Sequence, residues 1–562
     1  MIAHVRYSGE DESAPEIKKL LLAVAEDEDN FEKWEALVTF CEGLEGGITR
    51  NSSPSAIDIV RNVFDCFLAK YPLFFGYWKK YADLEFGIGG TETAEMVYER
   101  GVSSVPTSVD LWTGYCAFKQ DTCHDIDIVR ELFERGAHFV GLDFQCHPFW
   151  DKYIEFEKRI DHPENVTKIL ERIIHIPMYH FSRNFEKFRG EISVRPLEEL
   201  AAPDLLQEMK NLVLVESQGE PEKSAIEMDR LLRAKLDQYY LEAYNRTHTE
   251  TMKRWNFEQN IKRAYFHVTE LEDAELVNWR KYLDFEEAEG NFVRTMFLYE
   301  RCLVVCALYD EFWLRYARWM FSQGKEEDTR IIYMRASTIF VPIARPTVRL
   351  HWARFEEKKG RLDVAADIHL AILDQSPDHV ETIISLAGLK RRQEGIDAAI
   401  QLLDQYRNER DVYTGGRLAA EQARIIWKCK GSPTEARDLF QAWHERYLDS
   451  RAFWIKYLRF EMDQDGSKES EAETLARIKN VHSMMREKGR FSPSTMRDLS
   501  HLYMEYLLEH GGKDAAEEYM ELDKEVNGYV SSVADVPPLP FLTPPPSEQP
   551  YYTDNSREFG NA

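Results

Sequence analysis

Residues 276–342 read LVNWRKYLDFEEAEGNFVRTMFLYERCLVVCALYDEFWLRYARWMFSQGKEEDTRIIYMRASTIFVP. Trp279, Tyr282 and Glu286 stand at W-x-x-Y-x-x-x-E spacing, and Tyr299, Glu300, Arg301 and Cys302 follow on a second amphipathic run. The unit then restarts with Trp313 and Tyr316, followed by Tyr333, Met334, Arg335 and Ala336. Trp279 to Trp313 and Arg301 to Arg335 are each 34 positions apart. Positions i, i+3 and i+7 share one helical face, so each half of the unit predicts a helix and each unit a helical hairpin. A fixed period of this size means hairpins stacked into a solenoid. Each repeat then buries its apolar face only against its neighbours, which lets a chain of 562 residues fold without one oversized core.

Copies of the unit recur outward from this stretch. Trp78, Tyr81 and Glu85 are followed by Tyr98, Glu99 and Arg100. Trp112 and Tyr115 come next, with Lys119 in place of the acid and Phe133, Glu134 and Arg135 on the second helix. Trp150, Tyr153 and Glu157 precede Leu170, Glu171 and Arg172; near the other end, Trp454, Tyr457 and Glu461 restore the full pattern. Met320 breaks it after Tyr316, and beyond Pro342 Arg349 takes the Trp position and Trp352 the Tyr position, with Glu356 as the acid. Two hairpins over roughly 363–395 and 396–430 keep helical periodicity without the aromatic pair. These side chains are read as repeat core rather than catalytic groups. The rings are expected to wedge between the two helices of a hairpin, and the acid to pair near the crossing, with the second-helix Arg as its candidate partner.

Punctuation supports the same reading. Ser53-Pro54 and Ser432-Pro433 mark helix starts. Gly87, Gly89 and Gly90 follow a helix rather than a strand, so they form a hairpin turn and not a phosphate loop. The predicted organisation is a flexible N-terminus over 1–15, an N-terminal repeat lobe over 16–189 and a linker rich in Pro, Gly and acidic residues over 190–222. A C-terminal repeat lobe follows over 223–528, then a Pro-rich tail over 529–562 with polyproline character.

The chain carries a formal net charge of −27, which repels phosphate backbones and favours protein partners over a broad nucleic-acid grip. Lys253, Arg254, Lys262 and Arg263 form the least acidic surface candidate. Eight Cys fall at no metal or C-x-x-C spacing and are expected to be buried free thiols. No signal-peptide pattern and no run of about 20 apolar residues is present, which predicts a soluble intracellular protein with no membrane role. No Walker, H-E-x-x-H, G-x-S-x-G or kinase signature occurs, so no catalytic, cofactor or metal residue is assigned.

The W-x-x-Y-x-x-x-E and Y-E-R helices resemble half-a-tetratricopeptide (HAT) repeats over roughly 30–526. The stretches at 71–112 (YPLFFGYWKKYADLEFGIGGTETAEMVYERGVSSVPTSVDLW), 147–159 (HPFWDKYIEFEKR) and 261–286 (IKRAYFHVTELEDAELVNWRKYLDFE) are similar to the pre-mRNA-processing factor 39 family. The resemblance implies an all-α HAT solenoid in two lobes forming an arch. It implies a nuclear, non-enzymatic splicing scaffold tied to the small nuclear ribonucleoprotein that recognises the 5′ splice site, touching RNA mainly through protein. The N-terminal lobe would meet the particle's proteins, the arch would bridge them to peripheral splicing factors, and the C-terminal lobe would dimerise with itself or with a HAT paralogue. Two other readings stay open: a HAT scaffold of mRNA 3′-end cleavage, and a direct RNA-binding repeat module. For the dimer, the apolar stripe at the solenoid's end nominates Trp443, Leu499, Tyr503 and Tyr506, with Trp454 and Tyr457 expected instead in the core.

Overall fold

Helices begin where the sequence caps them. The Ser53 hydroxyl accepts from the Ala56 amide ahead of the helix Pro54–Lys70, and the Ser432 hydroxyl accepts from the Glu435 amide ahead of Pro433–Trp443. In both, Pro occupies the first turn, where its missing N–H costs nothing. The computed structural model describes residues 2–7, 13–193, 195–197, 203–216, 224–464 and 471–528. These form 26 α-helices and no strand. None of the described helices is long and apolar enough to cross a membrane.

Hairpins follow one another as the period predicts. The helices Phe75–Ile88 and Thr91–Ser104 are joined at Gly90, whose φ of +93° an L side chain rarely adopts. The helices Asp273–Glu289 and Phe292–Val305 turn at Gly290, which is left-handed with φ of +74°. The worn stretch is regular too, as helices Leu362–Gln375, Val380–Gln393, Ile396–Glu409 and Val412–Ile425. The last hairpin is Pro493–His510 with Ala515–Asn527.

The chain forms two compact units, Met1–Phe355 and Glu356–Ala562. The described residues of the expected linker at 190–222 fall within the first unit. Part of it is the helix Pro203–Glu216, and the 35-residue helix Ala225–Gln259 beyond it packs back on the preceding hairpins. Tyr240 donates to Glu171 at 3.0 Å, Thr247 donates to the Ile174 carbonyl at 2.7 Å, and Tyr244 stacks on Phe185 at 4.5 Å. In the expected flexible N-terminus, Ile2–His4 make a 3₁₀ turn whose Ile2 is buried in the core. The Pro-rich tail lies outside the described residues.

Cys41, Cys116, Cys146, Cys302 and Cys306 are buried, and all eight thiols are free. Burial pushes the Cys41 thiol up to about 12, which keeps it in the unreactive protonated form.

Candidate interaction surfaces

The repeat motif resolves into one junction used again and again, and it lies between repeats rather than within a hairpin. The motif Tyr stacks face to face on the aromatic residue of the preceding second helix. Tyr81 on Phe64, Tyr115 on Tyr98, Tyr153 on Phe133, Tyr282 on Phe257, Tyr316 on Tyr299 and Tyr457 on Phe440 have centroids 4.6–5.0 Å apart and interplanar angles of 17° or less. The Tyr hydroxyl donates to the acid beside that ring: Tyr115 to Glu99 at 2.8 Å, Tyr153 to Glu134 at 2.8 Å and Tyr316 to Glu300 at 3.0 Å. Burial pushes these phenols well above their usual range, so they stay donors.

The Y-E-R arginine binds the same acid from the next hairpin. Arg135 holds Glu99 through two bonds of 2.9 and 3.0 Å, Arg335 holds Glu300 through two of 2.9 Å, and Arg172 reaches Glu134 at 2.8 Å. The Arg135 bond is the main reason the Glu99 carboxyl sits below its usual range. Each arginine also lies over the Trp of its own hairpin, at 5.2–6.0 Å for Arg100, Arg135, Arg172, Arg301 and Arg335.

The motif acid therefore does not pair with the Y-E-R arginine. It pairs with a cation on the preceding helix. Arg61–Glu85, Arg130–Glu157, Arg254–Glu286 and Arg437–Glu461 close at 2.6–2.7 Å. Lys119, the apparent departure, meets Glu95 at 2.6 Å: the same junction with its signs exchanged. Lys119→Glu alone should destabilise the chain, and adding Glu95→Arg should restore it. A double-mutant cycle in urea should read a coupling of about 0.5–3 kcal/mol, and no coupling would refute the exchange.

The motif Trp fixes the loop ahead of its helix. Trp78, Trp112 and Trp313 donate to the carbonyls of Pro72, Pro106 and Ala307 at 2.8–2.9 Å. Arg349, standing in the Trp position, reaches back in the same way to Pro342 at 3.0 Å and Val341 at 2.8 Å. Trp279 has no acceptor among the described residues, because its helix starts at Asp273 and the carbonyl six positions back is already inside it. Trp150, Trp454 and Tyr457 are also buried, as repeat core requires.

The basic quartet singled out in the sequence makes its contacts within the chain. Lys253 binds Glu250 and Glu289, Arg254 is buried against Glu286, Lys262 binds Glu272 and Arg263 donates to Thr269. Of this quartet, Arg254 is buried, while Lys253 and Lys262 are exposed in surface ion pairs. Among the described residues, the first unit has a groove of about 750 Å³ with an apolar lining that includes Phe139, Leu142, Ile176, Val293, Met296 and Ile339. Phe139, Val293 and Ile339 are exposed in it. Among the described residues no group of three or more His, Cys, Asp or Glu side chains could hold a metal ion.

In the second unit, Leu499 and Tyr503 are fully buried, because Tyr503 stacks on His482 at 4.6 Å and donates to Glu518 at 2.8 Å inside the last hairpins. Neither offers a contact surface. Trp443 and Tyr506 are half-buried; the Arg407 guanidinium lies 4.0 Å above the Trp443 ring, and Tyr506 stacks on His510 at 4.3 Å. Exposed apolar side chains lie elsewhere on the last hairpin. Leu508 and Met520 are 55% and 64% exposed, and the final helix Ala515–Asn527 has no buried residue.

His482 carries a pH dependence. Burial, helped by Arg486 and opposed by Glu518, pushes its imidazole down to about 4, and its Nε2 lies 3.1 Å from the Ser500 hydroxyl. The folded state resists a proton that the unfolded chain takes up near 6.5. Its contribution is therefore complete above that pH and is lost as pH falls towards 4. The loss should reach about 3 kcal/mol. Urea titrations across this window should show it in the wild type and a flatter profile in His482→Gln.

Two family descriptions match the chain: PRP39 N-terminal HAT repeat over residues 18–190 and PRP39 C-terminal HAT repeat over residues 252–392. Pre-mRNA-processing factor 39 of Schizosaccharomyces pombe is 47% identical over 517 residues, covering 89% of this chain and 84% of that protein. This chain belongs to the PRP39 family. Pre-mRNA-processing factor 39 of Homo sapiens is 30% identical over 503 residues, covering 85% of this chain and 73% of its own. A more distant relative, the U1 small nuclear ribonucleoprotein component PRP42 of Saccharomyces cerevisiae, is 23% identical over 303 residues, covering 52% of this chain and 55% of its own. The crystal structure of CSTF-77 superposes with a TM-score of 0.54 at 14% identity, covering 83% of this chain and 91% of that one. That likeness supports the HAT-solenoid fold of this PRP39-family chain and nothing beyond the fold.

Proposed function

We propose that the protein is a non-enzymatic scaffold of pre-mRNA splicing, acting in the nucleus on the small nuclear ribonucleoprotein that recognises the 5′ splice site. The observation that carries this reading is the 47% identity to a pre-mRNA-processing factor across 89% of the chain. The relative whose name makes it a U1 ribonucleoprotein component points to the same particle. The geometry suits a scaffold: the buried charges close the junctions between repeats, while the groove of the first unit offers apolar side chains to a protein partner.

Dimerisation belongs to the second unit, through Leu508 and Met520. The last described helix, Ala515–Asn527, has no buried residue, which supports this, since the end of a repeat stack must be capped or paired. Light scattering on the purified chain should give a dimer, and Leu508→Glu with Met520→Glu should give a monomer. A double variant that remains dimeric would remove this interface from the account.

A further inference from the structure

The second unit holds a pocket of about 270 Å³ between the helix Val412–Ile425, the π-helical turn Ile426–Lys430 that extends it, and the helices Pro433–Trp443 and Arg451–Met462. Its floor is apolar. Phe440 and Phe460 are buried, and half-buried Trp427 meets Phe460 edge to face at 5.2 Å. Its rim carries Arg424 and Lys428 on one side and Lys456 and Arg459 on the other, all exposed. The pairs are spaced i, i+4 and i, i+3, so each forms a row along its element. Arg424 is bound to Glu421, and Lys428 lies 3.4 Å over the Trp427 ring. The side chains of Lys456 and Arg459 make no ion pair or hydrogen bond among the described residues, and Asp463, whose amide donates to the Arg459 carbonyl at 2.9 Å, is the acid in the lining. In a chain of net charge −27 whose repeat junctions consume their cations, this concentration of open positive charge over an aromatic floor is unusual.

We propose that this pocket docks an acidic peptide segment of a partner protein. An apolar side chain of the segment seats on Trp427, Phe440 and Phe460, and its carboxylates meet Lys456 and Arg459. A peptide is favoured over RNA on two observations. The Lys428 ammonium already covers one face of Trp427, which takes away stacking surface that a base would use. The acidic chain also repels a phosphate polymer more strongly than a segment with a few carboxylates. The pocket stands independently of which particle the protein joins.

The test uses the purified full chain and a short fluorescein-labelled peptide in which Asp and Glu alternate with Phe and Leu, read by fluorescence anisotropy. The acidic residues replaced by Ser give one control, and an oligouridylate of equal charge gives the other. The acidic peptide should bind, should weaken with added salt, and should lose about tenfold or more in affinity in Lys456→Glu with Arg459→Glu. Both residues are exposed, so the thermal midpoint should not move. Equal binding of the Ser control, or of the double variant, would overturn the proposal. So would an oligouridylate that binds more tightly than the peptide and depends on the same two cations, which would make the pocket a nucleic-acid site.

Discussion

Arg301→Met is expected to destabilise the first unit by about 3–5 kcal/mol. The Arg301 side chain is only 12% exposed and stands between two buried carboxylates. Its Nε lies 3.1 Å from Asp143, an Nη donates to Glu258 at 2.7 Å, and Tyr282 donates to the same Glu258 at 2.9 Å. Burial raises the Asp143 carboxyl above its usual range, and Arg301 is the main force opposing that rise. Methionine keeps most of the apolar stem but leaves two buried negative charges without a cation. The deficit should therefore shrink as pH falls and Asp143 takes up a proton. Arg100→Met is the control from the same ladder. Arg100 and Asp65 are 46% and 47% exposed, so its loss should cost under about 1 kcal/mol. Urea titrations of the full chain, followed by tryptophan fluorescence, should rank Arg301 far above Arg100. Equal losses would mean that burial does not set the value of these pairs.

Trp313→Ala should cost about 3–5 kcal/mol as well, by a different route. The indole is 1% exposed, donates to the Ala307 carbonyl at 2.8 Å, stacks on Phe340 at 5.3 Å and lies under the Arg335 guanidinium at 5.5 Å. Its removal opens a cavity, orphans a carbonyl and frees the arginine that holds Glu300. In a solenoid each hairpin leans on its neighbours, so the damage should spread along the stack. Hydrogen exchange should accelerate through 292–322 as well as beside the substitution. Protection lost only at residues adjoining 313 would argue against coupled repeats.

The sequence shows why some of this was legible and some was not. Trp and Tyr at i and i+3 announce a helix face, and Ser-Pro announces a helix start, because both signals are local. The partners of Glu85, Glu157, Glu286 and Glu461 lie 24 to 32 positions back, on another helix, and nothing local names them. Arg254 illustrates the difficulty. In sequence it stands among Lys253, Lys262 and Arg263 as a basic cluster, yet it is buried against Glu286. Lys119 reads as a lost motif until Glu95 is seen beside it. The helix Ala225–Gln259 hides two roles in one element: Tyr240 closes the junction to Glu171, while Phe257 and Glu258 serve Tyr282 in the next. Leu499 and Tyr503 looked like a free stripe because amphipathic spacing does not say whether the apolar face meets its own chain or another. The basic pocket escaped notice because Lys428 and Lys456 belong to different helices and meet only in the fold.

The most direct test of the splicing-scaffold reading is purification of the tagged protein from nuclear extract, with sequencing of the small RNAs that come with it. The account predicts enrichment of the small nuclear RNA of the particle that recognises the 5′ splice site. Recovery of mRNA cleavage factors with no small nuclear RNA above background would contradict it.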